Sequence, residues 1–229
     1  MPEYFEHSQE EISEQETVAI EQVDQWNTKG YRVEKHGDNF SVIILGEGHN
    51  NEALQAKQIE LIKLIKPKYV LHEFLTGWIY NPETKKCTRQ ENRIIGSEER
   101  PQKPADKIIT AADEMGFEII GCDLTETETN LVIDKVCERN PNRFHYDENV
   151  KAFFPNKGVE ELTNFSPEII AFRDKKMADT IIEYQKKSKK PIVVVMGSDH
   201  GKGIHKNKIL QRAGINYAFI NQAKIAQKK

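Results

Sequence analysis

Cysteine is scarce in this chain of 229 residues: Cys87, Cys122 and Cys137 are the only three. Their number is odd and no two stand in C-x-x-C spacing, which argues against a disulfide framework and against a zinc knuckle. Long apolar runs are missing as well. The longest uninterrupted aliphatic stretches, Val42–Leu45 and Ile192–Met196, fall far short of the ~20 residues a bilayer span requires. The opening stretch MPEYFEHSQEEISEQE is acidic and has no basic-then-apolar leader pattern. A reducing cytosol is the expected setting, and the Asn164-Phe165-Ser166 sequon is read as accidental. A dominant charge is lacking too: 33 Lys+Arg stand against 36 Asp+Glu, a net charge of −3. That balance leaves no electrostatic footprint for non-specific nucleic-acid binding. There is no internal repeat.

What is present describes a globular protein. Apolar residues make up 38% and charged residues 30%, with 13 Gly and 9 Pro, which excludes collagen-like and disordered classes. At 26.4 kDa the chain should bury roughly 70% of its unfolded surface. One elaborated domain over residues 1–229 is expected.

Residues 1–40 read as an N-terminal extension: an amphipathic helix from about Glu10 to Thr28, ending at Gly30, and then a hairpin. The hairpin pairs Tyr31–Lys35 with Phe40–Leu45 around the turn-forming His36-Gly37-Asp38-Asn39. From 42 to 220 strands alternate with helices. Helices are expected at Glu52–Ile65, Ala105–Met115, Glu126–Arg139, Ser166 to about Lys187, and Ile204–Ala213. Strands are expected at Tyr69–Phe74, Phe117–Cys122, Ile192–Met196 and Ile215–Ile220. This rhythm predicts an α/β fold whose central, mostly parallel sheet carries helices on both faces. Two polar stretches break it, residues 76–104 and 140–165, and both read as long loop insertions able to act as lids.

In open parallel sheets ligands bind beyond the carboxyl ends of the strands. The residues there are Gly46-Glu47-Gly48-His49, His72-Glu73, Asp123 and Gly197-Ser198-Asp199-His200. Each central strand delivers a carboxylate to this rim, and two of the seven histidines arrive in matching Gly-x-x-His segments. Glycine there allows a sharp turn, and histidine beside carboxylates offers metal ligation or acid–base chemistry. A single strand-end histidine is ordinarily a packing residue; the pairing of two makes a site the better reading. Glu73 sits in an apolar run, where an unpaired carboxylate is costly. Asp123 could equally cap the next helix, while His72 alternates to the opposite face and reads as structural. On the helix after Ser166, Arg173 falls on the edge of the stripe of Ile170, Met177 and Ile181, and Asp174 lies within its arc. Both need partners: a rim carboxylate or, alternatively, each other and surface neighbours. If Glu73 serves a site, Glu73→Gln should abolish activity or weaken metal binding with stability largely retained. If it is only a structural ion pair with Arg173, the change should cost ~3–5 kcal/mol.

Two other motifs fail. Gly46-x-Gly48 suggests a dinucleotide fingerprint, but Asn51 replaces the third glycine and Glu47 would face the pyrophosphate. Gly197–Gly203 lacks the spacing and the Ser/Thr of a phosphate loop.

Taken in order, LGEGH, YVLHEF, IIGCDLTET, FRDKKMADTI and VVVMGSDHGKGI resemble the TraB/TIKI (GumN-like) family. That family belongs with ChaN-like and erythromycin-esterase-like proteins in one superfamily, and the likeness spans about Val42–Ile220. The resemblance implies an α/β fold with two pseudo-related halves. It also implies one of several activities: a metal-dependent protease as in TIKI-like members, a Glu/His hydrolase as in erythromycin-esterase-like members, haem or iron binding as in ChaN-like members, or pheromone shutdown as in the TraB type. Gly46 with His49, and Gly197 with His200, match the paired motifs. Glu47, Glu73 and Arg173 match the glutamates and arginine of the pattern. No leader or anchor is expected here, unlike in TIKI proteins, and Asp199 beside His200 is a second departure, so extracellular signalling is not expected.

The leading expectation is a hydrolase of a peptide or ester that uses a divalent metal, Mn or Zn. His49 and His200 would ligate it with Glu47 or Glu73, the other carboxylate would activate water, and Arg173 would stabilise an oxyanion. The alternatives are a non-catalytic protein sequestering haem, metal or peptide, and a metal-free Glu47–His49 hydrolase.

Overall fold

The computed structural model describes residues 15–27, 31–48, 52–139 and 166–222. Its centre is an eight-stranded sheet flanked by helices. In chain order the elements are β1 (Val18–Ala19), α1 (Ile20–Asn27), β2 (Arg32–His36), β3 (Asn39–Phe40), β4 (Val42–Glu47), α2 (Glu52–Ile65), β5 (Tyr69–His72), β6 (Trp78–Asn81) and β7 (Lys86–Arg89). Then follow α3 (Asp106–Met115), β8 (Glu118–Gly121), α4 (Glu126–Arg139), α5 (Pro167–Lys187), β9 (Ile192–Gly197), α6 (Ser198–Lys206), α7 (Ile209–Arg212) and β10 (Tyr217–Asn221).

The sheet runs β2-β10-β4-β9-β5-β8-β6-β7. The five inner strands, from β10 to β8, are parallel, and the outer ones pair antiparallel. Every residue of β4, β5 and β9 is buried, the pattern of strands covered on both faces. Their side chains split by alternation. Ile43, Leu45, Val193 and Val195 join Leu61, Ile62 and Ile108 of α2 and α3 on one face. Val42, Ile44, Val194 and Met196 join Met177, Ile181, Ile204 and Leu210 of α5–α7 on the other. Helix α5 starts as its sequence dictates: the Ile169 N–H donates to Ser166 Oγ at 3.3 Å, and Pro167 occupies the first helical position. Among the described residues no helix is long and apolar enough to cross a membrane.

Four local expectations change. Helix α1 is shorter than expected, because Val18–Ala19 pairs with Phe40 and Asn39 as a strand. The segments around Gly37 do not form a hairpin, since β10 lies between β2 and β4. Burial explains the swap: β10 is buried throughout, whereas Arg32–His36 is half-buried to exposed and suits an edge. The stretch 76–104 is no plain loop. It contains the β6–β7 hairpin, whose turn holds Pro82 and is closed by the Thr84 N–H donating to Asn81 Oδ1 at 3.0 Å. Finally, α6 starts directly at Ser198, well before the expected Ile204. Gly201 and Gly203 sit inside it because Phe219 and Asp174 pack too close for a side chain. The expected 140–165 insertion and His49 lie outside the described residues.

Candidate functional site

Strands β4 and β9 are neighbours, yet β4 leads to α2 on one face and β9 leads to α6 on the other. Their carboxyl ends therefore flank a switch point, where such sheets bind ligands. Glu47 and Gly197 are register partners there.

Glu73 continues the ladder one step past β5, its N–H donating to Val195 O at 3.1 Å. Its carboxylate is 5% exposed by residue and fully engaged. Oε2 accepts the Gly197 N–H at 2.6 Å, and Oε1 accepts an Arg173 guanidinium N–H at 3.0 Å. Arg173 also donates from Nε to Asp123 Oδ2 at 2.9 Å and from a terminal nitrogen to the same oxygen. Asp123 spends its other oxygen on the Leu124 N–H at 2.7 Å. Arg173 thus ties the end of β5 to the loop after β8. Burial pulls its guanidinium down, but Asp123 and then Glu73 more than offset this and raise it above its ordinary value.

Asp174, the next residue of α5, turns to α6 instead. Its Oδ1 lies 2.6 Å from His200 Nδ1. His200 Nε2 faces Glu73 Oε1 at 3.7 Å, beyond hydrogen-bond range. The Asp174 approach depends on Gly203, where a Cβ would lie 2.0 Å from Asp174 Oδ2.

The structure thus brings Glu73, Asp123, Arg173, Gly197 and His200 together. Glu47 is buried on the α2 side, accepting from Gln58 Nε2 at 2.7 Å. Gly46 is required by contact, not by a turn: its φ is not positive, and a Cβ would meet Phe219 at 2.5 Å. Asp199 is not brought in. Its carboxylate is 93% exposed and pairs with Lys202 at 2.6 Å. His72 is buried and accepts the Phe74 N–H on Nδ1 at 3.1 Å. Burial, then the charges of Asp123 and Glu73, push the Cys122 thiol well up, so it stays protonated and is no nucleophile.

Two participants escaped the sequence reading. Gln58 interrupts the buried stripe of Leu54, Leu61 and Ile62 on α2, and a polar residue on such a stripe was the available signal. Arg93, in a polar stretch without periodicity, offered none. It grips Glu128 with nitrogens at 2.7–3.2 Å and donates to the Asp123 carbonyl. Glu128 also accepts the Thr125 N–H at 2.9 Å while Thr125 Oγ1 accepts the Glu128 N–H at 3.1 Å, a capping box. Burial pushes the Glu128 carboxyl up, but Arg93 and the Thr125 N–H hold it below its usual range.

Among the described residues, no three His, Cys, Asp or Glu side chains gather as a metal-binding group. The expected set needs His49, and Glu73 has already given both oxygens to Arg173 and Gly197.

Fold and rim together define an α/β protein with a buried carboxylate–arginine–histidine network at the carboxyl edge of a parallel sheet. No family model matches the sequence, and no curated protein matches it significantly. Among solved structures it is similar to ChaN of Campylobacter jejuni, described with cofacial haem binding. That likeness has a TM-score of 0.45 and 14% identity, covering 87% of this chain and 84% of that one.

Proposed function

We propose that the rim binds a small-molecule ligand through His200 and that the protein holds this ligand without turning it over. The observation that carries this reading is the 2.6 Å bond between His200 Nδ1 and Asp174. A histidine whose Nδ1–H is held by a buried carboxylate keeps its Nε2 lone pair for a ligand, the arrangement common to metal-ligating imidazoles. Haem is the first ligand to try, since its iron takes an axial imidazole and the motifs resemble a family grouped with ChaN-like proteins.

The same pair supports a second reading, metal-free hydrolysis with His200 as general base. Arg173 weakens it, because Asp123 and Glu73 already neutralise the guanidinium and leave it little for an oxyanion. Hydrolysis with Mn or Zn has less support, since Arg173 holds the place among the carboxylates that an ion would need.

Haem titration followed by absorbance, alongside an ester and peptide screen with and without chelator, separates these readings. Binding of one haem per chain, weakened at least about tenfold in His200→Ala (roughly 1.4 kcal/mol), is the expected result. Unchanged haem binding in His200→Ala overturns the reading. Turnover that survives chelator favours the metal-free hydrolase, and turnover abolished by chelator favours the metal enzyme.

A further inference from the structure

At the opposite edge of the sheet, three turns enter the adjacent parallel strands β9, β5 and β8. They enclose a groove of about 710 Å³ lined by Lys66, Lys68, Lys187, Lys189, Lys190 and Gly116, among others. All five lysines are exposed. The turns are joined beneath by Tyr69 and Tyr184, edge to face at 5.1 Å, with Lys68 Nζ 4.9 Å above the first ring and Lys187 Nζ 4.8 Å above the second.

Lysines near helix C-termini need no special purpose, because each helix end carries roughly half a negative charge. Helices α2, α3 and α5 all end here. Glu183 pairs with Lys187 at 2.5 Å, and Glu118 acts on Lys68. These negative charges together fall short of the five lysines. Among the described residues Lys66, Lys189 and Lys190 make no ion pair, so like charges converge on one concavity and raise its potential.

We propose that this groove binds a small polyphosphate anion, inorganic or organic. The volume falls within the ~300–1,000 Å³ of small-ligand sites, too small for a duplex. The lining has no arginine, the residue suited to planar, bidentate carboxylates; lysines act as point charges and suit a compact, multiply charged oxyanion. The site lies at the end of the sheet away from His200 and does not depend on what the rim binds.

Calorimetric titration of the full chain with inorganic tripolyphosphate tests this. Saturable 1:1 binding is expected, at least about tenfold weaker in the triple variant Lys66→Ala, Lys189→Ala, Lys190→Ala, and weakening steeply with added salt. His200→Ala should bind as the parent does. Citrate should bind at least about tenfold more weakly than cyclic trimetaphosphate, which like citrate is a trianion at about pH 8. Tripolyphosphate should also raise the melting temperature of the parent and not of the triple variant. No saturation up to about 1 mM tripolyphosphate, or equal binding by the triple variant, overturns the site. Equal affinity for citrate and trimetaphosphate overturns the phosphate class.

Discussion

His200 Nδ1 and Asp174 Oδ1, 2.6 Å apart, join the first turn of α6 to the middle of α5 across the end of β9. Asp174 is 3% exposed, so its carboxylate has left water and depends on this partner. A double-mutant cycle of Asp174→Ala and His200→Ala, read by urea melts, should return a coupling of about 1–3 kcal/mol. A coupling near zero would mean the two side chains do not support each other.

Gly203 makes that approach possible, which turns an ordinarily favourable change into a harmful one. Glycine to alanine inside a helix should gain about 1 kcal/mol from propensity. Here the new Cβ would meet Asp174 Oδ2, an atom that cannot retreat without leaving His200. Gly203→Ala is expected to destabilise by about 1–3 kcal/mol, the usual cost of overpacking. Alanine at Gly116, where nothing lies within 4 Å, meets no such clash and serves as a backbone control at φ +78°. A more stable Gly203→Ala protein would show that Asp174 is free to move.

Arg173 is shared, and this lowers the expected cost of losing either acid. In Glu73→Gln the arginine keeps Asp123, and the amide oxygen can still accept the Gly197 N–H. We expect about 1–2 kcal/mol for Glu73→Gln. The double change with Asp123→Asn should cost ~3–5 kcal/mol, because only then is a buried guanidinium left unpaired. Equal losses for the single and the double variant would refute the sharing.

Glu128 makes acid sensitivity predictable. Its carboxyl is held below its usual range in the folded protein, so the unfolded chain takes up the proton first as pH falls. The stabilisation is complete above the unfolded value, about 4.3, and is lost as pH drops through the lower folded value. Urea melts between about pH 3 and pH 7 should show a shallower acid limb for Glu128→Gln than for the parent. Parallel limbs would remove Glu128 from that role.

The α/β architecture was legible because β4, β5 and β9 are buried on both faces and because β4 and β9 each lead into a helix. Rim residues could be placed by counting to the end of each strand, which found Glu73 and Asp123. Pairing order could not be counted. The turn at Gly37 is real, with φ +82°, but local turn chemistry says nothing of β10 arriving between β2 and β4. Proline at 82 looked like a loop and instead sits in a hairpin turn. Asp199 counted as a rim candidate because it adjoins His200, yet adjacent residues on a helix point about 100° apart. Gly201 and Gly203 fall outside the helix expected from Ile204, because a need for close packing leaves no trace in local propensity.

The order of the sheet also sets a schedule. Among the described residues strand β4 pairs only with β9 and β10, both made about 150 residues or more after it. At ~5–20 residues per second, roughly 8–30 s separate the emergence of β4 from that of β9. For that interval Val42-Ile43-Ile44-Leu45 has neither of its native neighbours, and it is a short β-prone run without charge. Cellular yield is therefore expected to follow the capacity of ribosome-associated chaperones more closely than the melting temperature. Pulse-labelled nascent chains arrested before residue 192 should be captured by such chaperones, and chains carried through β10 should be released.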